Sequence, residues 1–474
     1  MLKYNFKYEW LLLLRNQWIQ VLTLLLLLLF GFAVYNGNQK VDSRTANISE
    51  ALNDYKSEEV VMLAQLDSIE KGLKVNTSSW LLPTRPIVTG NLHPRVVNMP
   101  AKPTAFIATG QSDLFAHYVK PQVTADDSTM NFKEMTSPVQ LLFGSFDLAF
   151  VIVFLLPLLI IAFSFNILAS ECESGSIKLL ASQPINIRIW TLQKLGLRFF
   201  WLVIAIVITL SLVFIVFGFD FQKNLMSFIG LLSIIIVYAL FWFVLAFATN
   251  IWIKSSSKNA ITLIGFWILF VLLAPSIINQ VSNLLYPIPS RTLMLNQMRS
   301  IKAETAKKQD EILDNYLRDH PEYVTNDSTK GVGFYPKFMA SQQLIEDELK
   351  PLVSKFESQL SKQHKLVNTF SWLSPSLIVQ NSLNKIAGTS TEDYQNFKLQ
   401  SLTFSKEWRD FFKPMLFKDL IFKKDDYKNL PEFEFTYESV DIYSKTLGLI
   451  IISVFILFLV LVLKPSRNQI ELIS

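Results

Sequence analysis

Glu171, Glu173, Gly175, Gln183, Pro184, Ile185 and Arg188 fall in one short polar stretch, ECESGSIKLLASQPINIRIWTLQKLGLR, running from Glu171 to Arg198 with a long apolar run on either side. A hairpin of that size is too small to fold alone, and its Gly and Pro punctuate it as a turn. It reads as a docking surface for something that pushes on the flanking helices. The chemistry expected there is recognition, not bond-making. Glu171 and Glu173 would meet basic groups of a partner or cap a helix, with ordinary solvation as the alternative.

Bond-making chemistry has little support elsewhere. GxxxxGK[ST] is absent, which excludes nucleotide hydrolysis by that route. His93, His117, His320 and His364 are scattered, without HExxH or any short ligand spacing. No GxSxG elbow occurs. Cys172 is the single cysteine, so no disulfide can form within the chain. The chain is therefore expected to be no enzyme, with no catalytic residue, no metal and no cofactor of its own. Asn47 and Asn76 open NIS and NTS, a glycosylation pattern with meaning only in a eukaryotic secretory pathway. Asp147 is the one ionisable group inside an apolar run. Its place at the start of that run favours helix capping over ion transport.

The elements that position the polar stretch are apolar. Hydrophobic residues make up 51% of the chain and charged residues 18%, with a mean hydropathy of +0.32. That mixture indicates a polytopic membrane protein with large water-exposed parts. Six segments have the length and composition of a span: Ile19 to Tyr35, Phe146 to Ala169, Phe199 to Phe217, Leu225 to Ile253, Ala260 to Ile278 and Thr446 to Leu463. Lys3, Lys7, Arg15, Lys178, Arg188, Lys194, Arg198, Lys254, Lys258, Lys464 and Arg467 all fall in segments that alternate to one side. The positive-inside rule makes that side cytoplasmic and places both termini there. The first span serves as the anchor, so no cleavable signal is expected. The net charge of +5 is mostly this bias, and nothing points to nucleic acid.

The domain organisation follows. Residues 1–17 form an interfacial elbow helix, with Leu2, Phe6, Trp10 and Leu13 on one face and Arg15 and Asn16 at a bend. Residues 18–35 are the first transmembrane helix and 36–145 a first extracytoplasmic domain. Residues 146–278 hold transmembrane helices two to five, with the hairpin at 170–198. Residues 279–445 form a second extracytoplasmic domain, 446–463 the sixth helix and 464–474 a cytoplasmic tail. The first outer domain opens with a helix whose stripe of Ile48, Leu52, Tyr55, Met62, Leu66, Ile69 and Leu73 packs inside the domain or along a second subunit. A proline-rich part follows, with β-rich runs such as Phe106 to Thr109. The second domain is more helical: Arg291 to Arg318, then Lys337 to Phe370 with a kink or restart at Pro351. An amphipathic piece from Trp372 to Ala387 stops at Gly388 and rests on the interface or under the domain. Phe433, Phe435 and Tyr437 alternate with polar residues as a half-exposed strand. The fold class is mainly α, six transmembrane helices with two large α+β extracytoplasmic domains.

In this order of parts the chain resembles the permease subunit of a bacterial ABC-2-type transporter. Glu171, Glu173, Gly175, Leu179, Leu180, Gln183 and Pro184 are similar to that family's pattern after its second span. SPVQLLFGSFDLAF from Ser137, PLLIIAFSFNILASE from Pro157, GQSDLFAHY from Gly110 and WLSPSLIVQNSLNKIAGTSTEDYQNF from Trp372 resemble a branch with large domains in the first and fifth interhelical loops. The chain departs from ordinary members by carrying a whole domain where they have a short, sometimes re-entrant loop before the sixth span. The resemblance implies a coupling helix from Ser182 to Trp190, its turn shaped by Gln183 and Pro184, docked on a separate cytoplasmic ATPase. The expected partners are two copies of that ATPase, which bind the ATP and Mg, and a second permease chain forming a homodimer or related heterodimer. They also include the lipid bilayer of the bacterial inner membrane and a periplasmic partner. The function implied is export of an unknown substrate. Mechanotransmission to an envelope partner is the first rival, and an ATPase-independent receptor or scaffold the second.

Overall fold

The computed structural model describes residues 2–15, 17–110, 112, 116–124, 146–177, 186–288, 291–324, 334–438 and 443–462, and among these the chain is mostly helical. Helix α1 (Leu2–Arg15) gives way to α2 (Trp18–Glu70) through Gln17, whose φ of 56° turns the chain. This is the bend expected beside Arg15; Asn16 lies outside the described residues. Then come α3 (Pro86–Leu92), β1 (Val97–Asn98) and β2 (Tyr118–Val119). The two strands pair antiparallel with Val97 opposite Val119 and Asn98 opposite Tyr118.

Helices α4 (Leu148–Glu173), α5 (Ile187–Val216), α6 (Phe221–Trp252) and α7 (Ser256–Leu285), together with α2, are long and apolar enough to cross a membrane. The chain thus has the character of a multi-pass membrane protein. The last helix, α13 (Tyr443–Val462), carries a shorter apolar stretch, Thr446–Val462. Five of the six segments read as spans fall on helices of full length, and the sixth falls on this shorter apolar stretch. The 464–474 tail lies outside the described residues.

Two of these helices contain prolines whose cost is met by neighbours. A proline inside a helix cannot donate to the carbonyl four residues back, and that carbonyl must find another donor away from water. Pro157 of α4 follows a π-helical stretch, Val151–Leu155. The carbonyl it releases, Val153, accepts from the Tyr238 hydroxyl at 3.0 Å, while Phe154 O accepts from Trp267 Nε1 at 3.1 Å. Pro275 of α7 likewise follows a π-helical stretch, Ile268–Leu273. There Phe270 O accepts from Ser374 Oγ at 2.7 Å and Ser376 Oγ at 2.9 Å.

The two insertions depart from the expected pair of α+β domains. α2 runs unbroken for 53 residues, about 80 Å at the helical rise, so the helix continues past residue 35 into the first insertion. Gly37 sits where this rod is crossed by the first insertion: a Cβ there would collide with the Phe106 carbonyl. The second insertion supplies α8 (Arg291–Lys307), α9 (Gln309–Asp319), α10 (Phe334–Phe370), α11 (Pro375–Ala387) and α12 (Thr391–Phe417). α10 continues through Pro351, and α11 ends at Gly388 with φ 68°, the expected stop. Met62, Leu66, Ile87, Val97 and Val123 of the first insertion share one hydrophobic core with Leu313, Phe397, Trp408, Phe412 and Phe422 of the second. Ile48, Met62 and Leu66 of the α2 stripe are therefore buried within the chain, while Leu73, beyond the helix end, is exposed.

Two β expectations fail, for identifiable reasons. Phe106 to Thr109 contains a buried 3₁₀ turn, Ala105–Ile107, because its apolar side chains face the α2 rod and not a sheet. Residues 431–438 alternate half-buried and exposed as read, but they lie in no sheet. Their backbone is satisfied by a helix side chain: Thr436 N donates to Gln400 Oε1 at 3.1 Å, and Gln400 Nε2 donates to Thr436 O at 2.8 Å. Alternation reports which side is buried, and here the burying partner is α12.

The core encloses polar groups whose state depends on pH. Arg44 of α2 donates to Met99 O at 2.7 Å, beside Tyr437, whose hydroxyl donates to Pro100 O at 2.6 Å. Burial first, and the Arg44 guanidinium second, push the His117 pKa down to about 3. Burial also lowers His93 and His364. A histidine depressed below its unfolded value of about 6.5 stays neutral in the fold while the unfolded chain takes up the proton. The His117 contribution to stability is then full above about pH 6.5 and is lost as pH falls toward about 3, by up to about 1.4 kcal/mol per pH unit, and His93 and His364 act in the same direction. Thermal unfolding measured from pH 8 to pH 5 should show the decline, and His117→Gln should flatten it.

Candidate functional site

The hairpin end of the bundle is held by charge. Glu9 of α1 is 2% exposed and accepts from Arg198 Nε at 2.9 Å, with Lys194 Nζ at 3.6 Å. Lys194 also meets Glu171 at 3.0 Å and lies over the Trp190 ring at 4.1 Å. Lys194 and Arg198 are four residues apart on α5, which puts both on one face. The result is a chain of alternating charges, Glu171–Lys194–Glu9–Arg198, that joins the end of α4, the start of α5 and α1. Arg198 continues it by donating to Phe163 O at 2.6 Å. The α1 face bearing Trp10 and Leu13 turns inward: Trp10 packs on Trp201 at 4.3 Å, and Leu13 is buried. Tyr8, Leu11 and Leu12 are exposed, the arrangement of a helix lying along an apolar surface.

Each described member of the hairpin has a defined place. Glu173 reaches α7, where its carboxylate accepts from Ser256 N at 2.7 Å and Ser256 Oγ at 2.8 Å. An anion at these free amides caps the helix in the absence of a cap from Ser255. The Glu171 carboxylate also accepts from the Ser176 hydroxyl. Gly175, with φ 75°, ends the helical turn, a conformation that strains any residue with a Cβ. Arg188 donates to Leu461 O at 2.9 Å and Val460 O at 3.4 Å, placing a cation on the carbonyl end of α13. Its own helix is capped by Asn186, which accepts from Arg188 N at 3.0 Å. Gln183, Pro184 and Ile185 lie outside the described residues, as do Leu179 and Leu180.

Just before the hairpin, residues 165–168 of α4 form a turn in place of regular helix. Two buried amides repair the break. Asn250 of α6 donates to Ser164 O at 3.0 Å and accepts from Leu168 N at 3.1 Å. Asn259 of α7 donates to Phe165 O. The α4 end is thereby pinned to α6 and α7, while Glu171 and Glu173 pin the stretch beyond it to α5 and α7.

Sequence reading missed Glu9, Asn250 and Asn259. The signals were present. Glu9 is the one acid in an otherwise basic arm, four-spaced Lys194 and Arg198 call for an anion, and a lone Asn in ALFWFVLAFATNIW is costly in an apolar layer unless it serves a neighbour. Among the described residues no group of acidic, His and Cys side chains could hold a metal ion.

A family described as a domain of unknown function (DUF3526) matches residues 291–436, which is the second insertion from α8 to the extended segment after α12. No curated protein and no solved structure matches the chain.

Proposed function

We propose that this chain is the membrane-spanning subunit of an ABC transporter of the ABC-2 type. It would be driven by a separate ATPase and export an as yet unidentified substrate across a bacterial inner membrane. In this reading α13 is a sixth span, the hairpin and both termini face the cytoplasm, and the insertions face outward. The supporting observation is the bracing of the hairpin. Through Glu171, Glu173 and Arg188 it is bonded to α5, α7 and α13, and through Lys194 to α1. A push on a hairpin held this way displaces several helices together and is not absorbed locally. A ligand or partner biases such a body only by binding its two arrangements with different affinity.

Purification of the full chain in mild detergent, with mass spectrometry of what accompanies it, tests the reading. A P-loop ATPase should co-purify. Pro184→Glu combined with Ile185→Asp should remove it while membrane insertion is unchanged. Retention of the ATPase by this variant would move the docking surface elsewhere, and absence of any ATPase from the wild-type sample would favour a receptor or scaffold.

One observation favours mechanotransmission over export. α2 is a single rod from the bundle into the insertions, and the two insertions share one core. Displacing the bundle therefore moves one outer body, which could do work on an envelope partner without any substrate passing between the helices.

A further inference from the structure

Arg44 is a buried cation that the chain does not neutralise. It lies on α2 beyond Asn36, which donates to Phe146 O at the start of α4 at 3.3 Å, and so about 12 Å past the end of the apolar bundle. It is only 9% exposed. Its Nη2 donates to Met99 O at 2.7 Å and Pro100 O at 3.5 Å, and its Nε has no hydrogen-bond partner among the described residues. The titratable groups that bear on it are Tyr437 and His117. Neither brings a negative charge, since burial pushes the Tyr437 hydroxyl up to about 12 and keeps His117 neutral. More positive charge gathers at the same place. Lys102 Nζ stands 4.2 Å from the centre of the Tyr437 ring. Asp393, the acid that bears on Lys102, is engaged in capping α12, where it accepts from Ser390 N at 3.1 Å and Ser390 Oγ at 2.6 Å. His117 Nδ1 is also buried without a partner. Its backbone is fixed beside Arg44 by the bond from Met99 N to His117 O at 2.8 Å.

We propose that Arg44, His117 and Lys102 form a binding site for a small anion, a halide or a carboxylate, at the seam between the two insertions. A buried charge without a counterion is costly to a fold, and an anion at Arg44 Nε removes that cost through a charge-assisted hydrogen bond. A ring nitrogen of His117 adds a second polar contact. Lys102 and Tyr437 are only partly buried and form the way in. Geometry sets the class of ligand. Nη2 is the partner of Nε in the side-on fork of a guanidinium, and here it is held by two carbonyls. What remains suits a halide or one carboxylate oxygen, not the two-pronged grip that phosphate takes. The site joins α2, the loops after β1 and before β2, and the extended segment that leads to α13. An occupied site therefore tightens the seam where these elements meet. It requires neither an ATPase nor transport, so it stands or falls apart from the function proposed above.

Thermal unfolding and hydrogen exchange of the full chain in detergent test it. The protein is purified with the bulky sulfonate Hepes as its sole anion, and potassium chloride or potassium acetate is then exchanged in at constant ionic strength. One or both should raise the unfolding midpoint in a saturable way and slow hydrogen exchange at 97–102 and 434–438. A response to chloride alone identifies a halide site, and one to acetate a carboxylate site. Arg44→Met should abolish the response. Lys102→Met, at the rim, should raise the concentration of half effect about tenfold. If neither salt acts on the wild-type protein, a bridging water serves the orphan nitrogens and the proposal is overturned. A response that survives Arg44→Met overturns it too, as does an unshifted Lys102→Met should Arg44→Met fail to fold. Slowing of exchange confined to other segments would place the anion elsewhere and refute this site.

Discussion

Replacing Arg198 with leucine is expected to destabilise the chain by about 3–5 kcal/mol, the usual effect of stranding one member of a buried ion pair. Glu9 is almost wholly buried and has its closest cation in Arg198 at 2.9 Å; Lys194 stands at 3.6 Å and is shared with Glu171. The converse change is milder. With Glu9→Gln, Lys194 keeps Glu171 and Arg198 keeps the Phe163 carbonyl. Removing both charges together, as Glu9→Leu with Arg198→Leu, should recover much of the loss, because no buried charge then lacks a counterion. Thermal unfolding of the four proteins in detergent reads this order directly. If Arg198→Leu unfolds no earlier than Glu9→Gln, the charge chain does not brace the hairpin end.

The same charges show what the sequence could and could not disclose. Lys194 and Arg198 were legible as basic residues flanking a span, which sufficed for an orientation argument. That they turn inward to Glu9 depends on how α1 folds back, and this is set by Gln17 in a left-handed conformation. No local pattern encodes that turn. Glu171 and Glu173 were legible as a polar pair, with three roles open. The structure engages both within the chain, one on Lys194 and one on the α7 terminus. Apolar helices were legible because their length and composition suffice to identify them. Their ends were less so: α2 runs past Tyr35 without a break because nothing in NGNQKVDSRTANISE stops a helix, although the composition changes from apolar to polar there.

Partners distant in sequence account for the larger misses. Phe433, Phe435 and Tyr437 alternate as a strand should, yet the hydrogen bonds of Thr436 go to Gln400 on a helix. Period-two burial fixes which side chains face inward and does not say what faces them. The two insertions looked like separate domains because a bundle of spans divides them in sequence. Their shared core forms because Trp408, Phe412 and Phe422 complete an apolar surface that Ile87, Val97 and Val123 begin. Trp408 Nε1 even donates across this seam to Gly90 O at 3.0 Å. α11 was read as amphipathic, with the interface or the domain's underside as its resting place. The bundle interior accepts it because its two serines bond the Phe270 carbonyl, in the π-helical stretch before Pro275.

Asp147→Ala should be at least as damaging at the opposite end of the bundle, by about 3–6 kcal/mol from a lost cap and stranded amides. Its Oδ1 accepts from Phe150 N at 2.9 Å and caps α4 as the sequence position suggested. Its Oδ2 takes on a second task, accepting from Thr109 N at 2.9 Å, Thr109 Oγ1 at 3.2 Å and Gly110 N at 3.2 Å. The carboxylate therefore ties the first insertion to the start of α4, at a site only 3% exposed. Asp147→Asn distinguishes this from an ion-transport role. Asparagine keeps one acceptor and can restore the cap, but its amide NH₂ would face the Thr109 and Gly110 amides as a donor against donors. Asp147→Asn should therefore lose roughly half as much as Asp147→Ala, and exchange at 104–110 should rise in both. A variant with unchanged thermal unfolding and altered activity would instead make Asp147 part of a transport path.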